Sequence, residues 1–354
     1  MIMKCLRRWI LLFTVFVLQM SASPVTAEPL WQYFKDQFIS SDGRVIDKQN
    51  EKISHSEGQG YGMLLAVKFD DPTTFKLLWR WSQDNLQIRK DQLFSWKFGQ
   101  HESGHWQVLD KNNATDGDIL IAWALLEAGK KWNAHSYITQ AKSIQADVIQ
   151  HTLVDYRGRL FLLPAVYGFT QEHRIRLNPS YLVFPAYQAL AKQFSGPWQR
   201  LMEDGQWLIE VSLHSELALP SDWITLDTHT GRIYSDTHFS AEAIRVWLYS
   251  ALANSQEEFA FPGFRYWQKY YDDSGFYPDR FDADKLRFQG YGMPGYWAVS
   301  ARVLLEQGDK QRAHSIWKQS RLKLLKEESN YYSTALYLLS LPSFESTVQW
   351  EGAL

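Results

Sequence analysis

The sequence predicts an all-α protein: one large domain of about a dozen helices, closed into a toroid of helix hairpins. Three observations carry this expectation. Apolar positions recur at helical spacing along most of the chain. Strand signals are few and do not alternate with the helices, which argues against a parallel-sheet architecture. No fixed-period repeat appears, which lowers an open solenoid of helix pairs and favours a closed ring.

In chain order, the first stretch is read as a targeting segment and set apart from the fold. Lys4, Arg7 and Arg8 precede an apolar run from Trp9 to Met20, and Val25-Thr26-Ala27 supplies small residues for cleavage before Glu28. This is the pattern of a secretory signal peptide over 1–27, with a single domain over 28–354. The rival reading is an uncleaved anchor of about twenty residues. An opening helix is expected at 31–38. Tyr61-Gly62-Met63-Leu64-Leu65-Ala66-Val67 reads as a buried helix, and so does 119–128, with Gly129 as its C-cap. Further helices are expected at 73–83, 134–152, 180–193, 198–213, 241–253, 259–270, 294–306, 310–325 and 332–339. Short strands are expected near 106–109 and 160–166. Loops rich in Gly, Pro, Asp and Ser fall at 227–237 and 272–280.

Composition narrows the class. The one cysteine, Cys5, precedes the apolar run, so it is not placed as a lipid acceptor and the chain beyond the leader has no thiol. An exported domain without disulfides is held by its core. The leader carries three of the 37 basic residues, leaving 34 against 39 acidic ones, a net charge of −5. That balance gives no reason to expect nucleic acid or an anionic membrane surface. The 16 Trp, 18 Tyr and 20 Phe are numerous. Much of this is core, since rings bury large areas, but sugar rings also stack their C–H faces on aromatic planes.

Two acidic segments stand out. In His55-Ser56-Glu57-Gly58-Gln59-Gly60-Tyr61-Gly62-Met63, three glycines surround one glutamate just before an apolar helix. Glycine there permits close approach of backbone or ligand. The plain alternative is a helix-start carboxylate satisfied by N–H groups and the dipole. In Asn113-Ala114-Thr115-Asp116-Gly117-Asp118, Thr115 or Asp116 is the candidate N-cap and Asp118 a first-turn acid. One cap does not require two acids, so Asp116 is the candidate for chemistry. No metal is expected there: the segment holds no histidine, and Asp110 is not at a loop-ligand spacing. His101-Glu102-Ser103-Gly104-His105 matches the short zinc-protease pattern, which works only on a helix, and Gly99, Ser103 and Gly104 mark a loop. There is no GxSxG elbow and no phosphate-binding glycine loop. Carboxylate chemistry remains, and two carboxyl groups across a cleft are what glycosidic bond cleavage uses.

These residues resemble glycoside hydrolase family 8. The match is Ala114-Thr115-Asp116-Gly117-Asp118, then Ile121-Ala122, Ala124-Leu125-Leu126, Ala128 and Trp132, each at the spacing of the family signature. Ser56-Glu57-Gly58-Gln59 with Tyr61-Gly62 resembles its proton-donor segment. Trp96, Asn178-Pro179-Ser180-Tyr181 and Ala243-Ile244-Arg245 follow in the expected order, and the resemblance runs from about Trp31 to Leu339. Trp31-Gln32-Tyr33-Phe34-Lys35 and Asp42-Gly43-Arg44-Val45 are most similar to the family's periplasmic endoglucanases encoded beside bacterial cellulose synthases. The resemblance implies an (α/α)6 barrel, hydrolysis of a β-1,4-glucan with inversion, no cofactor, and a periplasmic or secreted location. Cellulose-export machinery is the implied partner. Xylan and chitosan are alternative substrates, and a polysaccharide-binding helper with weakened catalysis is an alternative function. By position, Glu57 is implied as general acid. Asp116 would hold sugar hydroxyls beside the cleaved bond, Arg245 and Tyr181 would flank that subsite, and Trp96 would stack on a sugar. The family's base is an aspartate three residues before the arginine. Here that position is Glu242, preceded by Ala241 where a tyrosine is common. Glu242 is therefore the expected base, with Asp236 as the alternative.

Overall fold

The computed structural model describes residues 28–213, 216–253, 261–326 and 330–342. The expected signal peptide over 1–27 lies outside the described residues. The described helices are α1 (Glu28–Phe38), α2 (Ser56–Lys68), α3 (Pro72–Asn85), α4 (Thr115–Lys131), α5 (His135–Thr152), α6 (Phe184–Gln193), α7 (Trp198–Ser212), α8 (Ile244–Ala253), α9 (Phe264–Ser274), α10 (Pro294–Glu306), α11 (Lys310–Lys326) and α12 (Tyr331–Ser340).

The even-numbered helices touch in the cyclic order α2, α4, α6, α8, α10, α12 and back to α2. The odd-numbered ones back this ring: α3 on α2, α5 on α4, α7 on α6, α11 on α10 and α1 on α12. Trp267 of α9 wedges between α8 and α10, edge-on to Trp247 and donating its Nε1 hydrogen to Ser300 Oγ at 3.0 Å. This is an (α/α)6 barrel. Sequence explains which helix goes where. Most inner helices are buried on nearly every face, as in α10, where Pro294 through Ala301 are all buried; α6 is the exception, burying one stripe. Outer helices bury one stripe: in α11 this is Ala313, Ile316, Trp317, Ser320 and Leu324.

Glycine sets the tightest seam, between α2 and α4. A Cβ on Gly60 would lie 2.6 Å from Leu120 Cβ, and one on Gly117 would lie 2.8 Å from the Glu57 backbone nitrogen. Gly60 and Gly117 thus each admit the neighbouring helix, bringing the two first turns side by side. Gln59, fully buried, ties the seam to the chain before it and to α3: its Oε1 accepts from Val45 N, and its Nε2 donates to Gly43 O and to Ser82 Oγ.

The chain leading into the inner helices carries short antiparallel strands. β1 (Ser54–His55), β2 (Ser95–Gln100) and β3 (Trp106–Asn113) form one sheet, and β4 (Leu153–Tyr156) pairs with β5 (Arg159–Leu162). A four-stranded sheet joins β6 (Thr170–Gln171), β7 (Arg174–Leu177), β8 (Ile224–Asp227) and β9 (Ile233–Ser235). β10 (His238–Phe239), β11 (Arg280–Asp282) and β12 (Arg287–Gln289) complete the set.

Several expectations are corrected. Gly129 is not a C-cap: α4 runs on to Lys131, and Gly129 is small because Ile138 of α5 packs there, 2.5 Å from where its Cβ would be. Neither Thr115 nor Asp116 caps α4. Ala114 is the N-cap, and Thr115 Oγ1 donates instead to Leu163 O at 2.6 Å. Asp118 lies in the first turn, but its carboxylate spans elements, accepting from Phe94 N at 2.8 Å and Asn113 Nδ2 at 2.7 Å. The helix expected from 180 starts at Phe184, after a 3-10 turn over Pro179–Tyr181, and the one expected from 241 starts at Ile244. The helix expected at 259–270 starts at Phe264 and runs to Ser274, into the expected loop at 272–280. The loop at 227–237 contains β9.

Candidate active site

The first turns of the inner helices converge on one cleft of about 470 Å³. Glu57 comes from α2, Asp116 from α4, Tyr181 from the 3-10 turn before α6, and Tyr331 and Tyr332 from α12. Glu242 precedes α8 by two residues, and Arg245 lies in that helix's first turn.

Arg245 organises the centre. It is 4% exposed, and its Nη1 donates to Glu57 Oε2 at 2.7 Å. Its Nη2 donates to Glu242 Oε2 and, at 2.8 Å, to Ser180 Oγ. Asp116 Oδ2 lies 3.9 Å from the same Nη2. Burial opposes the guanidinium charge, but Glu242 and Glu57 outweigh it and hold its pKa well above the ordinary value. A buried cation of this kind persists only when paired. Arg245 Nε is buried and has no hydrogen-bond partner among the described residues.

Asp116 is 2% exposed. Burial, and then the adjacent Glu57 carboxylate, push its pKa well above the carboxylate range, with Arg245 pulling the other way. Three carboxyl groups around one guanidinium favour keeping a proton in the group. Asp118 is also pushed up by burial, to about 7, but it faces Phe94 and Asn113 away from this cluster.

All three donors to Glu242 meet one oxygen, Oε2: Asn178 Nδ2 at 3.0 Å, Ser180 Oγ at 3.2 Å, and Arg245. Trp96 lies on β2 and lines the cleft, so it is not a tryptophan packed between helices. The His55 ring is parallel to it at 6.2 Å, and His55 Nδ1 meets Tyr331 OH at 3.0 Å. Burial lowers the His55 pKa, opposed by Glu57 and Asp47. Tyr181 lines the cleft with Arg245 5.9 Å from its ring centre. Asp236 is not brought in. It is half-exposed, ion-paired to Arg176 at 3.4 Å, and absent from the cleft lining. His101 and His105 stand in the exposed turn between β2 and β3.

The chain matches the family model "Glycosyl hydrolases family 8" over residues 3–344. The chain belongs to this family. A probable endoglucanase of Novacetimonas hansenii is 35% identical over 325 residues, 90% of each chain. An endoglucanase of Cellulomonas uda is 37% identical over 248 residues, 69% of this chain and 68% of that one. Among solved structures, the endo-beta-1,4-glucanase CMCax from Acetobacter xylinum superposes with a TM-score of 0.77 at 34% identity, covering 90% of this chain and 97% of that one. A cold-adapted family 8 xylanase, 16% identical with a TM-score of 0.68, shares the fold.

Within this family 8 cleft, sequence reading named Glu57, Asp116, Tyr181, Glu242, Arg245 and Trp96, and all six line it. It missed His55, Asp47, Asn330, Tyr331 and Tyr332. Tyr332 was legible only as a helix start, Tyr331 lay just before the expected helix, and His55 was legible only as a neighbour of Glu57. Asp222 was also missed. Its carboxylate accepts from Ser240 N, Ser240 Oγ and Ala243 N, at 2.9, 2.6 and 2.9 Å, and so fixes the turn that carries Glu242.

Proposed function

We propose that this chain is an endo-1,4-β-glucanase that cleaves a cellulose-like β-1,4-glucan within the chain and inverts the anomeric centre. The observation that carries the proposal is the buried Arg245, holding Glu57 on one terminal nitrogen and Glu242 on the other at an open cleft. The family and the relatives named endoglucanases support the substrate class.

In this reading Glu57 is the general acid that protonates the leaving oxygen. Glu242 is the base, taking a proton from the water that attacks the opposite face of the sugar. Inversion is proposed from the family resemblance, and it requires that a water fit between base and sugar. Asp116, next to Glu57, binds sugar hydroxyls and helps hold the ring distorted. Trp96 with His55 behind it offers a flat face to a neighbouring sugar. The tyrosines Tyr181, Tyr331 and Tyr332 are buried enough to stay neutral hydrogen-bonding groups. No cofactor enters this chemistry. Residues 1–27 are proposed to direct export, so that the polymer is met in the periplasm or outside the cell, beside cellulose-export machinery. Among the described residues no helix is long and apolar enough to cross a membrane.

The test is polymer cleavage on carboxymethylcellulose, xylan and chitosan, following viscosity and reducing ends together. Viscosity of carboxymethylcellulose should fall well ahead of reducing-end release. Cleavage of xylan or chitosan alone would overturn the substrate. Binding of cello-oligosaccharides with no cleavage of any polymer would leave a binding helper.

A further inference from the structure

We propose that Asn178 is a positioning residue for the base, holding one oxygen of Glu242 so that the other faces the attacking water. The inference rests on the reading of Glu242 as base. A glutamate has one more rotatable bond than the aspartate it replaces, so its carboxylate needs a tether to occupy one place. The structure supplies it at Oε2, where Asn178 Nδ2, Ser180 Oγ and Arg245 Nη2 meet, and Oε1 takes none of these donors.

The three donors are not equivalent. Arg245 is shared with Glu57. Ser180 has one hydroxyl hydrogen, and its Oγ lies closer to Asn178 Oδ1 (2.7 Å) than to Glu242 Oε2 (3.2 Å). Asn178 is the donor that serves Glu242 alone. Its amide cannot turn over, because Oδ1 accepts from Ser180 N at 2.9 Å and from Ser180 Oγ, leaving Nδ2 to face the carboxylate. Asn178 is 3% exposed, so water does not readily replace it. The backbone under Glu242 is fixed separately: Asp222 holds residues 240 and 243, and Tyr332 OH donates to Ala241 O at 2.6 Å. The main chain and one carboxylate oxygen are therefore both anchored, and Asn178 removes the freedom that the extra methylene adds.

The experiment compares Asn178→Ala, Asn178→Asp and Glu242→Gln with wild type, measuring kcat, KM, the pH profile of kcat/KM, and melting temperature. Asn178→Asp keeps an acceptor for the Ser180 bonds of the turn but replaces the donor to Glu242 with an acceptor. Both Asn178 variants should lose on the order of tenfold in kcat, the scale of one hydrogen bond to a charged group, with KM little changed. Their acid limb should move to higher pH, since the base anion has lost a donor. A residue that only caps the turn would give another pattern: Asn178→Ala lowers melting temperature, and Asn178→Asp restores both stability and rate. That result overturns the inference. An active Glu242→Gln would remove the base assignment itself. Loss in Glu242→Gln, with rate and acid limb unmoved in both Asn178 variants, would remove only the positioning role.

Discussion

Gly117→Ala tests whether the α2–α4 seam sets the catalytic geometry. The new Cβ would lie 2.3 Å from Ser56 Oγ, 2.8 Å from Glu57 N and 2.9 Å from Ser56 C. The Ser56 hydroxyl can rotate aside; the backbone cannot. Reaching ordinary contact at 3.4 Å from Glu57 N requires a shift of 0.6 Å, and it falls on the residue proposed as acid. Misplacement by about 1 Å costs on the order of a hundredfold in rate, so a loss between about tenfold and a hundredfold in kcat is expected. Overpacking adds about 1–3 kcal/mol of destabilisation, or several degrees in melting temperature. The control is Gly60→Ala, whose Cβ would meet Leu120 Cβ at 2.6 Å, about a turn deeper in the barrel. It should lower melting temperature comparably and kcat less. The assay is the initial rate on carboxymethylcellulose well below the onset of unfolding. The reasoning fails if Gly117→Ala keeps its rate within about twofold, or if Gly60→Ala loses more activity than Gly117→Ala.

Four further predictions follow from named contacts. Glu57→Gln should abolish polymer cleavage with little change in melting temperature; activity within about threefold of wild type would refute the acid assignment. Glu242→Gln should be inactive and Asp236→Asn nearly normal, because Asp236 is engaged with Arg176 outside the cleft; the reverse pattern would move the base to Asp236. Asp118→Asn should cost about 1–3 kcal/mol, since an amide cannot accept from both Phe94 N and Asn113 Nδ2. Burial raises Asp118 to about 7 in the fold, so its contribution is full below the ordinary carboxylate value near 3.8 and is lost as pH rises through about 7. The stability gap between wild type and Asp118→Asn should therefore narrow from pH 4.5 to 7.5 in parallel urea titrations; widening would contradict it. Trp96→Ala should weaken cello-oligosaccharide binding by about 1 kcal/mol or more without large destabilisation; a large stability loss at unchanged affinity would assign Trp96 to the core.

The barrel was legible because most inner helices, α6 excepted, are buried on nearly every face while outer ones are striped, a contrast that survives in one sequence. The caps were less legible. Thr115 and Asp116 have the right residue types for an N-cap, but tertiary partners claim both: Leu163 O takes the Thr115 hydroxyl, and Arg245 and Glu57 surround Asp116. Gly129 looked like a stop because a glycine needed for Ile138 of a packed helix cannot be told from a C-cap by composition. The acidic half of the site carried a fixed-spacing signature in Glu57 and Asp116. The α12 half did not: Tyr331 and Tyr332 open a helix like any other pair of aromatics, and only closure of the ring brings them to Arg245. Asp222 was hidden for the same reason, since it reaches Ser240 across 18 residues of chain.

The measurement that tests the central claim most directly is proton NMR of products at the earliest times of cello-oligosaccharide hydrolysis, run with wild type and Glu57→Gln. Inversion at a β-linkage predicts that the new reducing end appears first as the α-anomer and equilibrates afterwards, with no product from Glu57→Gln. Initial appearance of the β-anomer, or product from Glu57→Gln at the wild-type rate, would contradict the account.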